Sequence, residues 1–576
     1  MSAKGGAAMN RLRLNAAGYS LVTTMLMITL FFLLGLTILT VAVQQARFTA
    51  VRVENIESFH EAKTALNEAI AGLKAELSDD DFFVRHDIFT PSQWDAFLGI
   101  NEDTPGPDTI AGKLKARYGV EVEDVSYRLY NIPTNKVFLR ALDLSKPFTD
   151  GHRERKVKRL VFLTNTPSFL KYALGSKETV ILNGGVYVEQ GNVYAGQSAY
   201  ISNAANYVKK SGELTIAPID AGLPASMNDS IWHIHDKLLF SCTQTSSCWK
   251  TGGRAFQMEE GLFFQEWPDD GGPLIQQETD DFIDTDFERT VKDKLLQAAG
   301  LSPLSPETQQ AYIERIENDH QPPLDVAREL YQEGKLARVV TDDETPYEQS
   351  INQMPKDKPL WLDAEGKEIT LYRDIDVQQN GQNQWLIVNG DLRIEGPTKS
   401  TAAVRGNLIV FGDLTLTGNL ALNASIYVTG KTTIYNSHID GADGKGLVLL
   451  SKGTLDIARI NEFQDSNEIP NLKGYFYTDS SATIYAVGSY LYIEGGLFAR
   501  GNGAAAPDTD INGLVINAFR GRIEPKDGEP GNFIPSSDMQ QSRLIVKYNP
   551  RVLVEQGTGL PFVNQISLVA DRLEVE

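Results

Sequence analysis

The sequence predicts a mixed α and β fold: a long N-terminal helix, a small α+β head, and a C-terminal β-solenoid interrupted by a helical insertion. Three observations carry this reading. Tyr19 to Val43 is a run of 25 residues without a charge. Ile56, Phe59, Leu66, Ile70, Leu73 and Leu77 then recur mostly three or four residues apart. From Gln44 to about Asp79 there is no proline and Gly72 is the only glycine, the pattern of one continuous helix. From Val388 onward, glycine corners return about every twenty residues between short alternating strands, which marks a stack of repeating coils.

The helix comes first. At 1.5 Å per residue the uncharged run is about 37 Å long, against a hydrocarbon core of about 30 Å. It is long enough to span a bilayer. Ala16, Ala17 and Gly18 precede the run, whereas a secretory signal carries its small-residue cleavage site after a shorter apolar segment. Lys4, Arg11 and Arg13 lie ahead of it and only Arg47 and Arg52 follow closely. That bias predicts a short cytoplasmic N-terminus on a single-pass cell-membrane protein, with the bulk of the chain outside. The second half of the helix is amphipathic, so it leaves the membrane and lays one stripe against a globular domain.

A basic leader ending in Gly18, with Tyr19-Ser20-Leu21-Val22 opening the apolar helix, resembles the type IV pilins. VENIESFHEAKTALNEAI, Val53 to Ile70, resembles the PilX-type minor pilins. The resemblance covers roughly the first 165 residues. It implies a leader at 1–18, cleavage after Gly18 by a prepilin peptidase, methylation of Tyr19, and retention of the helix over 19–79. It also implies a pilin-like head over 80–170, with other pilin subunits and the pilus assembly platform as partners. Major pilins carry a glutamate as the fifth residue of the mature helix, thought to pair with a neighbouring subunit's N-terminal amine; here that position is Thr23. A hydroxyl offers no countercharge to an ammonium in low dielectric, so the resemblance points to a low-copy or tip subunit.

Beyond the helix, 576 residues suggest two to four domains. The net charge is −21, and −24 once Lys4, Arg11 and Arg13 leave with residues 1–18. Such a surface repels phosphate backbones and argues against nucleic acid as a partner. Residues 80–170 combine helical stretches with the strand-like runs VEDVSYRLYNI, KVFLRALDLS and VKRLVFLTN, an antiparallel meander. Residues 171–220 read as the first part of the solenoid. Residues 221–380 read as the insertion, with three helical patterns and prolines at the joints. Residues 381–576 read as the main solenoid and its closing strands. There VNGDLRIEG from Val388 returns as VFGDLTLTG from Val410, VTGKTTIYN from Val428 and LSKGTLDIA from Leu450. The texture, and nothing finer, resembles the polymer-forming, bactofilin-like β-helices.

Chemistry is sparse. Cys242 and Cys248, in SCTQTSSCW, enclose five polar residues on the exported side, where a local disulfide forms. A zinc site would need His233 and His235 of WHIHD as well, although their alternation is also that of a plain strand. DTDING, Asp508 to Gly513, fits the first half of a calcium loop through Asp508, Asp510 and Asn512, but its twelfth position is Phe519. Asn512-Gly513 is equally a tight turn. Asp280, Asp281, Asp284, Asp286 and Glu288 form an acidic run suited to a helix N-terminus or to calcium. Asp391, Asp413 and Asp456 stand beside turn glycines, as turn residues do. No nucleophile elbow, phosphate loop or His-Glu-x-x-His helix is visible.

The expected function is therefore structural, without enzyme activity, cofactor or resident metal. The chain reads as a minor pilin-like subunit of a bacterial cell-surface filament that displays its solenoid for assembly or adhesion. The runner-up is an unprocessed, membrane-anchored surface protein whose solenoid binds cell wall or glycans. An envelope polysaccharide lyase or hydrolase comes third.

Overall fold

The computed structural model describes residues 16–77, 97–99, 106–126, 139–150, 153–164, 167–208, 216–227, 230–241, 273–277, 282, 284–301, 307–318, 320–341, 345–460, 469–501, 512–526, 529–556, 559–561 and 567–576. Among them are a long N-terminal apolar helix, a small helix-and-sheet head, and a strand-rich remainder.

Helix α1 spans Ala16–Leu77, 62 residues, or about 93 Å at 1.5 Å per residue. Ala62, Leu66, Ala69, Leu73 and Leu77 are its buried stripe, spaced so that one side chain stands above the next on a single face. They pack on Leu142, Leu144, Val157, Val161 and Leu163 of the head sheet. A second helix, Ile110–Tyr118, completes that layer. Thr109 caps it by accepting the Gly112 N–H, and Gly119 ends it in the left-handed conformation at φ 62°, where glycine carries no Cβ penalty.

The head sheet is antiparallel. Glu121–Asp124 pairs with Leu139–Asp150, and that strand pairs with Arg153–Thr164. Its fourth strand is Ser567–Val575, from the far end of the chain. The sequence reading placed this segment among the closing strands of the solenoid; it returns to the head instead. The reason is exposed pairing capacity: Arg153–Thr164 carries apolar residues on both faces and has a free edge that a last strand can satisfy. One face of the sheet packs on α1, while Val125, Ala141, Phe162 and Val569 on the other join the core of the strand-rich part.

There the strands run parallel in three columns, and successive strands fall in turn on the first, second and third column. The first column stacks Leu360, Leu386, Leu408, Ile426, Leu449, Phe476 and Leu497 in register. It then continues to Leu174, Val193, Trp232 and Ile275. The second column passes from Leu392 through Leu414, Thr432, Leu455, Ala482 and Leu514 to Val180 and Ala199. The third runs from Leu420 through Ile439, Leu472, Ile493 and Val546 to Val188.

The chain thus enters its own coil stack in the middle. Leu174–Ser176 is laid on Leu497–Ala499 and Thr179–Gly184 on Gly513–Ala518. From that seam the chain winds outward to Leu274–Gln277, crosses to the opposite end, and winds back from Leu360. The boundaries read from sequence are corrected accordingly. The first part of the stack does not stop at residue 220, since Ile231–Ile234, Lys237–Ser241 and Leu274–Gln277 are rungs of it. The described helices of the 221–380 interval lie between Phe287 and Gln353.

The helices make the return journey across the outer side of the first column. Phe287 meets the Tyr427 ring at 6.3 Å, and Tyr331 stacks on Trp361 at 5.8 Å. Val291, Leu295, Leu296, Val326 and Leu330 are buried beneath them. Strands of that column are consequently buried on both sides, as in Asn407–Val410 and Leu447–Ser451. Second-column strands alternate, as in Leu455–Ala458 and Ala482–Ala486. At the far end, the helix Tyr347–Gln353 inserts Ile351 into the core. Its Glu348 accepts the Tyr372 and Arg373 N–H groups, and Asn352 accepts the Asp376 N–H. A stack of coils needs such a cap, because its last rung has no neighbour to cover it.

Candidate membrane and assembly helix

The exposed half of α1 is the largest apolar surface among the described residues. Every residue from Leu21 to Phe48 is exposed, including Phe31 at 67% and Phe32 at 68%. Among the described residues, α1 is the helix long and apolar enough to cross a membrane. Its threonines fit that setting. Thr24, Thr29 and Thr40 each donate to a backbone carbonyl one turn back, at 2.9, 2.8 and 2.7 Å, so these hydroxyls are not left bare where water is absent.

Exposed apolar side chains continue past the uncharged run, interspersed with Arg47, Arg52 and Glu54. Phe48, Val51, Val53 and Ile56 are also exposed, and contact with the head begins only around Ser58 and Phe59. Ser58 Oγ accepts the Thr149 N–H at 3.1 Å, and Phe59 meets Phe148 edge-on at 5.6 Å. Lower down, Arg159 ties the helix to the terminal strand, donating to Asn67 Oδ1 at 3.1 Å and to the Asp571 carbonyl at 2.7 Å. Lys158 reaches Glu576 at 2.7 Å, and that hydrogen bond raises the pKa of its ammonium group. The helix is therefore held rigidly at one end and presented free at the other.

Gly18 and Tyr19 lie within the first turns of α1. Thr23 is on its exposed surface and offers a hydroxyl where a charged partner would need a carboxylate. Cys242 and Cys248 lie outside the described residues, as do Asp280, Asp281, Asp508 and Asp510. His233 sits half-buried on the strand Ile231–Ile234 with its ring edge-on to Tyr172 at 5.9 Å, and His235 is exposed just beyond.

The remaining carboxylates are dispersed into structural work. Asp284 takes Lys177 at 2.6 Å and Arg500 at 2.6 Å, so it clamps the two coils that meet at the seam. Asp286 caps the helix Phe287–Ala298 through the Arg289 N–H at 3.0 Å, and Glu288 pairs with Lys452. Asp391 accepts the Asp413 N–H at 2.7 Å, and Asp413 accepts the Lys431 N–H at 2.9 Å. Each turn aspartate thus holds the coil stacked next to it. Asp456 lies on the second column between Thr433 and Thr483. Among the described residues no three ligating side chains are grouped for a metal. What sequence reasoning missed is the seam clamp; no spacing joins Lys177, Asp284 and Arg500.

No family model matches the sequence, and no curated protein matches it. Among solved structures, a competence-associated pilin, ComZ from Thermus thermophilus, is matched over 91% of this chain and 98% of its own, at 11% identity and a TM-score of 0.23. A likeness that distant carries no argument about fold or function.

Proposed function

We propose that the protein is a minor, pilin-like structural subunit of a bacterial cell-surface filament. Its coil stack is a β-solenoid displayed outside the cell for assembly or adhesion, and its mechanism is assembly, with no catalytic step. Residues 1–18 are a leader removed by a prepilin peptidase on the cytoplasmic side, and Tyr19 becomes the methylated N-terminus. Thr23 suits a low-copy or tip position, where no buried charge pair with a neighbouring amine is required.

The observation that carries this reading is the length of helix whose large apolar side chains are left uncovered. From Leu21 to Ile56 it extends about 54 Å, whereas a hydrocarbon core covers about 30 Å. Lipid alone leaves Phe48, Val51 and Ile56 in water, at a cost of about 1.5–3 kcal/mol for each large side chain left unburied. Neighbouring helices cover the whole length at once, by packing that replaces lipid contacts. A plain membrane anchor, with the solenoid binding cell wall or glycans, is the second reading; Thr23 in place of a carboxylate favours it.

A photo-crosslinking residue at Phe48 in living cells separates the two. Filament assembly predicts covalent adducts with other subunits that carry an exposed apolar N-terminal helix. Adducts with lipid alone, under conditions where the cells bear filaments, would contradict it.

A further inference from the structure

On the outer side of the third column, groups of opposite charge are gathered around one cavity. Lys473 is in register with Glu494, and Glu494 with Lys547, while Asp440 reaches Lys473 at 2.8 Å. Above these rungs the turn around Gly444 and the short helix Val552–Glu555 flank a half-open cavity of about 240 Å³. Asp440 and Lys473 satisfy each other. Glu494 takes an amide hydrogen bond from Asn549 at 3.4 Å and also interacts with the Lys473 charge, and Glu555 takes the Gly446 N–H at 3.2 Å.

Lys445 and Arg551 also line the cavity. Their charges act on Glu555, yet no ion pair within 4 Å joins either cation to Glu494 or Glu555 among the described residues. Two carboxylates and two cations therefore line one half-open cavity without an ion pair between them within 4 Å. Oppositely charged groups brought together so gain from a ligand that bridges them, since charge-assisted hydrogen bonds are about twice as strong as neutral ones. The space beside the turn is unfilled: an added Cβ at Gly444 would meet nothing within 4 Å, and one at Gly446 would meet Glu555 Oε2 at 3.8 Å.

The lining selects the ligand class. It holds no aromatic ring, so a sugar has no platform to stack on. The carboxylates are not grouped for a metal ion. A ligand with one charge would leave the opposite pair unused. We infer that the cavity binds a small zwitterion, an α-amino acid or a short peptide, with its ammonium on Glu494 and Glu555 and its carboxylate on Lys445 and Arg551. Burial pushes the Glu555 carboxyl above its ordinary range, which suits a group that gains its countercharge from a ligand.

Titration calorimetry on the full-length protein in detergent micelles tests this with glycine and glycylglycine. N-acetylglycine and glycinamide, each lacking one charge, are the controls. Both zwitterions are expected to bind, with each singly charged analogue weaker by about tenfold or more. Glu494→Gln and Arg551→Gln each should weaken glycine by a similar factor while the unfolding temperature stays near that of the parent. The inference is overturned if no zwitterion binds at millimolar concentration, if either control binds as well as glycine, or if both variants bind unchanged. These outcomes are independent of filament assembly.

Discussion

Asp284 concentrates more electrostatics than any other carboxylate described here. Burial alone would raise its pKa, but the hydrogen bonds from Arg500 and Lys177 prevail and hold the carboxyl below its ordinary value. A carboxyl whose pKa is lower folded than unfolded adds stability above about pH 4, and that contribution is lost as pH falls through the lowered value. Asp284→Asn keeps the shape and removes the charge. It is expected to cost about 1–3 kcal/mol at neutral pH and less in acid, where the parent has begun to lose the same contribution. Unfolding curves of the two proteins at pH 7 and pH 3 read this directly. An equal difference at both values would show that the charge is not what holds the seam. None of this was legible in the sequence, because the three partners lie more than a hundred residues apart. The acidic run containing Asp284 suggested a helix N-terminus, and Asp286 caps one with Glu288 in its first turn.

At the scale of elements, the sequence was most legible where neighbours in space are neighbours in the chain. The repeat of VNGDLRIEG as VFGDLTLTG is a register: Val388 pairs with Val410, Leu392 with Leu414 and Ile394 with Leu416. The corner glycines stack for a steric reason, since a Cβ at Gly412 would meet the Gly390 carbonyl oxygen at 2.6 Å and one at Gly453 would meet the Gly430 oxygen at 2.7 Å. The helix-covered face was present in the sequence too, as the unalternating runs NLIV and LVLLS, which mark strands buried on both sides. The amphipathic half of α1 was readable because its stripe follows the helical period. Leu66 is at its centre, wholly buried against the head. Leu66→Ala should destabilise the head by about 2–5 kcal/mol, visible as faster hydrogen exchange in Leu139–Thr164, while the coils around Leu414–Val428 remain protected. Loss of protection in both regions together would mean that head and stack unfold as one unit.

The whole molecule is arranged around its seam. Coils at 174–202 are contiguous in space with coils at 491–548 and separated from them in sequence by the entire outward and return journey. The C-terminal strand then closes the head, so Ser567–Val575 and Arg153–Thr164 are tied in one sheet. Pairing over such distances leaves no periodic trace, which is why the first and second parts of the stack read as separate blocks. Hydrogen exchange on the native protein should find 174–184 and 497–518 opening together, with similar protection; clearly different protection would mean that the two blocks fold independently. The free half of α1 projects from this closed body. Its processing decides between a filament subunit and a plain anchor. Mass spectrometry of the intact N-terminus, on protein taken from its native membrane, is the most direct test. The account predicts a chain beginning at methylated Tyr19, and a chain that still carries Arg11 and Arg13 would contradict it.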